Sequence, residues 1–134
     1  MIKLKFLITV LIIFCACNGS DSTLELGSGY WLNQEGKGLN EVFSRNTNKK
    51  GIPPDILNYS NNIDFILVEQ KPTKFDDIIH EDDTVTYKFG RNKIYYWIID
   101  KKSGLRIGPL SKIEFQKARK FLSVPQELEF ESFY

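Results

Sequence analysis

Ile94-Tyr95-Tyr96-Trp97-Ile98-Ile99-Asp100, turned by Lys101-Lys102-Ser103-Gly104 into Leu105-Arg106-Ile107-Gly108, decides the fold. Every residue before Asp100 is β-branched or aromatic, the composition that suits a pleated, packed surface. Side chains alternate across a strand, so Tyr95, Trp97 and Ile99 point one way and Ile94, Tyr96 and Ile98 the other. Both sides are apolar, which marks a central strand covered on both faces. Ile63-Asp64-Phe65-Ile66-Leu67-Val68-Glu69 is of the same kind: Phe65 and Leu67 oppose Ile66 and Val68. Ile56-Leu57-Asn58-Tyr59 precedes it across Ser60-Asn61-Asn62, a hairpin whose asparagines tolerate positive φ.

Downstream, Ser111-Lys112-Ile113-Glu114 has the form of a capping box, with Leu110 and Phe115 placed as a hydrophobic staple. Phe115, Ala118, Phe121 and Leu122 make an apolar stripe at helical spacing, Lys112, Lys117, Arg119 and Lys120 occupy mostly the other side, and Pro125 ends the helix. Leu128 to Phe133 alternates and reads as a last strand. Upstream, Gly29-Tyr30-Trp31-Leu32 reads as the first strand and Leu39 to Arg45 as the second. Residues 46–54 are a loop punctuated by Asn, Gly and Pro, and Thr84 to Tyr87 is a short edge strand. The expectation is an α+β fold: an antiparallel sheet of about five strands with one C-terminal-half helix on one face. Ile66, Trp97, Ile98 and Phe115 should lie in the core. A helix of about 14 residues, roughly 21 Å long, covers one sheet face. Either residues 71–92 or the N-terminal segment folds over the other, or a partner does. In that last case Tyr30, Trp31, Tyr95 and Tyr96 are the partner-binding candidates.

The N-terminus stands apart from this domain. Lys3 and Lys5 precede the apolar run Phe6 to Phe14, too short for a permanent span and fitting a secretory signal peptide. Phe14-Cys15-Ala16-Cys17 resembles a bacterial lipobox, with Phe14 and Cys15 as mild departures, and polar Asn18 to Thr23 reads as a tether. Residues 1–16 are then a cleaved signal peptide, 17–28 the lipidated Cys17 and its tether, and 29–134 one α+β domain. A thiol is the side chain there that forms a thioether to diacylglycerol, and several acyl chains anchor far more firmly than one. The expected covalent groups are diacylglycerol and an N-acyl chain at Cys17, with no other cofactor. Cys15 leaves with the peptide and the sulfur of Cys17 is alkylated, so no disulfide forms. Asn18, where Asp favours inner-membrane retention in enteric bacteria, points to the outer membrane.

Cleavage takes Lys3 and Lys5 from the 18 basic side chains and none from the 17 acidic, a balance of 16 to 17. That neutrality argues against a nucleic-acid partner. Asp76, Asp77, His80, Glu81, Asp82 and Asp83 have the oxygen density for Ca²⁺, and His80 with Glu81 the donors to contribute to a zinc site. The stretch lacks the alternating acids and central Gly of an EF-hand, and one His is thin for zinc, so it reads as a solvated loop with no metal. Adjacent acids in one loop also fail to encode the opposed carboxylate pair of a glycosidase. No nucleophile elbow, phosphate loop or paired His is present, and no catalytic residue is assigned. Arg106, Lys112, Lys117, Arg119 and Lys120 form a basic region, read as a solvated helix face.

The order of the pieces carries a resemblance. A cysteine-anchored tether, Gly29-Tyr30-Trp31, Phe65-Ile66-Leu67-Val68, Tyr96 to Lys102, and Gly108-Pro109-Leu110-Ser111 before Glu114-Phe115 together resemble a family of small bacterial lipoproteins of unknown function, seen often in Bacteroidetes. The resemblance covers most of 29–130. It implies an envelope protein and names no substrate. The expected function is a non-catalytic, lipid-anchored envelope module, not an enzyme, that binds a protein or surface ligand. The alternatives are an inhibitor or immunity-like protein and, less favoured, a hydrolase or metal-binding protein using 76–83.

Overall fold

The computed structural model describes residues 22–36, 38–46, 48–72 and 85–132. Among the described residues eight strands and a helix follow in order: β1 (Ser22–Gly27), β2 (Tyr30–Gln34), β3 (Glu41–Ser44), β4 (Ile56–Asn61), β5 (Phe65–Gln70), β6 (Tyr95–Asp100), β7 (Leu105–Leu110), α1 (Lys112–Phe121) and β8 (Glu131–Ser132). They form two antiparallel sheets and not one. The larger has the order β7-β6-β5-β4-β8, its last member a two-residue edge strand, and the smaller is the meander β1-β2-β3. The architecture is α+β, as the sequence implies, and β5 and β6 are central strands with an apolar side chain on each face.

The extra sheet settles what covers the second face. Ile66, Val68, Trp97 and Ile99 point from the larger sheet toward Leu26, Tyr30, Leu32 and Val42 of the meander, with Ile52 and Ile56 filling the space between. On the opposite face Leu67 and Ile98 pack under Phe115 of α1 and Val124, joined by Tyr96, Leu110, Leu122, Leu128 and Phe130. Three layers result, meander, sheet, helix, with two cores. The N-terminal segment therefore takes the place that a partner would have filled.

Strand β1 lies inside the stretch read as tether. Ser22 to Glu25 are exposed, so β1 is held by its ladder to β2 and not by burial of those side chains. Residues 46–54 also do more than connect. Val42 and Ile52 exchange backbone hydrogen bonds of 3.0 and 2.8 Å, and Ile52, Pro53 and Pro54 are buried. Residues 85–87 are not a strand, and the C-terminal strand is shorter than its alternation implied.

Two buried polar side chains fasten this arrangement, Gln70 within the larger sheet and its flanking segments and Lys101 between that sheet and the meander. Gln70 takes the indole N–H of Trp97 at 2.6 Å and donates to the carbonyls of Pro53 and Pro54 and to the Tyr87 hydroxyl. Lys101, only 3% exposed, gives its ammonium to the carbonyls of Leu26 in β1 and Asn62 in the β4–β5 turn. Burial holds that amine below the ordinary lysine range, and Asp64 opposes the shift. Among the described residues no helix is long and apolar enough to cross a membrane.

Candidate functional site

Helix α1 begins as its sequence demands. Ser111 Oγ accepts from the Glu114 amide at 3.2 Å, and the Glu114 carboxylate accepts from the Ser111 amide at 3.1 Å. The Ser111 amide first and the Ser111 hydroxyl second, both acting on the carboxylate, hold Glu114 below the ordinary carboxylate range, with help from Lys88 and Lys117. The helix stops at Phe121, four residues before Pro125. Leu122 caps it, Ser123 takes φ 58°, and the Val124 amide donates to the Arg119 carbonyl. The following segment then returns along the helix. Arg119 pins it by donating to the carbonyls of Pro125 at 2.8 Å and Leu128 at 3.0 Å.

A groove runs along this seam. One hollow of about 470 Å³ lies among Gln116, Arg119, Ser123, Gln126 and Glu129. A second of about 210 Å³ shares Gln116, Arg119 and Glu129 and adds Glu69 and Lys112 around Tyr96, Phe115 and Phe130. The three rings stack, with centroids 4.9 Å apart for Tyr96–Phe115 and 5.8 Å for Phe115–Phe130. Tyr96 stands opposite Glu69 in register, and its phenol is raised above its ordinary range by burial first and Glu69 second.

The outer face of α1 is more unusual. Ile113 is 71% exposed and Phe121 88% exposed. With Lys117 between them they stand at i, i+4 and i+8, neighbours along a ridge that winds about 80° round the helix. Lys112 and Lys120 are exposed beside that ridge. The patch joins two large apolar side chains to three ammonium groups.

The four aromatic candidates do not share a surface. Tyr30 and Tyr95 are corrections: Tyr30 is buried between the sheets, Tyr95 is buried against residues 87–90, and neither presents a surface to a partner. The Tyr95 hydroxyl accepts from the Phe89 amide at 2.9 Å and donates to the Gly90 carbonyl at 2.7 Å. Burial first, and Asp100 second, raise the Tyr30 phenol. Trp31 is half-buried on the outer side of the meander, and Tyr96 is half-buried in the groove on the far side of the molecule. Cys17, Asp76, Asp77, His80, Glu81, Asp82 and Asp83 lie outside the described residues. Among the described ones no group of three or more His, Cys, Asp or Glu is placed to hold a metal ion. Arg106 leaves the basic region: it donates to the Gly51 carbonyl at 2.8 Å and lies over the Trp97 ring.

Reading the helix sequence as one stripe missed the exposure of Phe121. At 100° per residue Phe121 lies about 120° round the helix from Phe115, whereas Leu122 lies only about 20° away. That angle was the available signal.

No curated protein and no solved structure matches the chain. Residues 28–134, which contain both sheets' central strands, α1 and the groove, match a family described as a protein of unknown function, DUF3997, and the chain belongs to that family.

Proposed function

We propose that the chain is a lipid-anchored protein of the bacterial cell envelope, attached through diacylglycerol and an N-acyl chain on Cys17. We place it in the outer rather than the inner membrane, with binding, not catalysis, as its task. The observation that supports binding is the outer face of α1. Two large apolar side chains there, Ile113 and Phe121, stand in solvent among Lys112, Lys117 and Lys120. Exposed apolar groups rimmed by charge are the usual mark of an interaction surface. The matching partner is a protein with apolar groups and acidic side chains at the complementary spacing.

A photo-crosslinking residue placed at 113 or 121 of the full chain, in cells, tests this. The expected result is one discrete adduct from both positions, lost when Lys117→Glu and Lys120→Glu are introduced together. No adduct from either position, or adducts indifferent to the charge reversal, sinks the reading. Labelled palmitate read in the same cells checks the anchor, because Cys17→Ser should abolish incorporation.

A further inference from the structure

The outer side of the meander carries a row of side chains that belong to neither core. Glu25, Trp31 and Phe43 stand abreast across β1, β2 and β3. Neither Trp31 nor Phe43 joins the two apolar clusters. The Arg45 guanidinium lies 4.2 Å from the centroid of the Trp31 ring. Strand alternation puts Asn33 and Glu41 on the same side.

We infer that this face rests on the zwitterionic phospholipid headgroups of the membrane that holds the anchor. The inference depends on the lipidation at Cys17 proposed above. Its first support is chain length. Strand β1 starts at Ser22, so five residue steps separate it from Cys17, at most about 18 Å of fully extended chain. The thioether sits at the edge of the hydrocarbon, and the headgroup layer takes roughly 5–7 Å of that reach. About 12 Å of clearance remains. Packed sheets lie about 10 Å apart, and a helix with its side chains adds about 10–12 Å. The outer face of α1 is therefore more than about 20 Å from the plane of the meander, beyond what the clearance spans. The meander is the near layer and α1 the far one.

The second support is chemistry. Tryptophan is enriched where an apolar ring meets headgroups, and Arg supplies a bidentate donor for phosphate. Glu25, exposed beside them, faces the ammonium of a zwitterionic headgroup. A face of mixed sign suits a zwitterionic surface better than an anionic one. It also leaves the lysines of α1 directed away from the bilayer, free for the partner proposed above.

The chain's two tryptophans make the test direct, because Trp97 is fully buried and Trp31 is not. The lipidated full chain is reconstituted in phosphatidylethanolamine–phosphatidylcholine vesicles carrying a headgroup-level nitroxide lipid. The wild-type emission should be strongly quenched, and that of Trp31→Phe, which leaves the core untouched, hardly at all. A nitroxide placed on Phe121→Cys should show no lipid contact. Mass spectrometry of the same sample separates the two ways of failing. No lipid on Cys17 overturns the anchor and this inference with it. Lipid on Cys17 without Trp31-dependent quenching overturns the orientation alone.

Discussion

A Cβ on Gly108 would lie 2.6 Å from two ring atoms of Trp97 and 2.9 Å from the Tyr96 carbonyl, at a φ of +144°. No L side chain sits well there, and the ring cannot retreat: its N–H is committed to Gln70 and its face to Arg106. Gly108→Ala should therefore destabilise the protein by about 3 kcal/mol or more, through overpacking and an unfavourable backbone conformation. Urea denaturation read by Trp97 fluorescence measures this. A loss below about 1 kcal/mol would mean that β7 swings away freely. The sequence shows Gly108 only as one glycine after a strand. What it withholds is that Trp97 lies across the neighbouring backbone, since the register shift between Tyr96 and Ile98 brings Gly108 beside the ring.

At the scale of elements, α1 was legible from its cap, and β5 and β6 from their unbroken apolar runs. Strand β1 was not, because Ser22 to Glu25 are exposed and their strand conformation is imposed by β2. The capping box carries its own prediction. Glu114 has its folded-state pKa depressed, so its contribution is present above the ordinary carboxylate value of 4.5 and is lost as pH falls through the folded value. Helix stability should decline in that acid window in the wild type. In Glu114→Gln, whose amide oxygen still accepts from the Ser111 N–H, this part of the decline should disappear. Ser111→Ala should cost about 1 kcal/mol at neutral pH. Thermal melts across the acid range check both, and identical pH slopes for wild type and Glu114→Gln would count against the box as a titrating element.

The three-layer arrangement of the described residues could not be read from periodicity. Apolar side chains on both sides of β5 and β6 demand two covers, and the sequence does not say which segment supplies the second. The Asn61 amide and the Lys101 ammonium both reach the Leu26 carbonyl, so the meander is fastened at its edge as well as through its core. Lys101→Met keeps the apolar stem and removes the donors, leaving the Asn62 carbonyl without that partner and the Leu26 carbonyl with the Asn61 amide alone, at about 1–3 kcal/mol in all. Amide exchange should then quicken more in β1 to β3 than in β5 and β6. Uniform quickening would show that the meander is not separately fastened. The same fastening spans 75 residues of chain. As the polypeptide emerges from its amino end, β1, β2 and β3 are complete long before Trp97, Ile99 and Lys101 exist to receive them. A contact so distant in sequence closes late, and until it does the leading third of the chain has no inner layer to fold against. On the export proposed above, such tardiness is an asset: the part that enters the translocation channel first is the part least able to fold before it gets through.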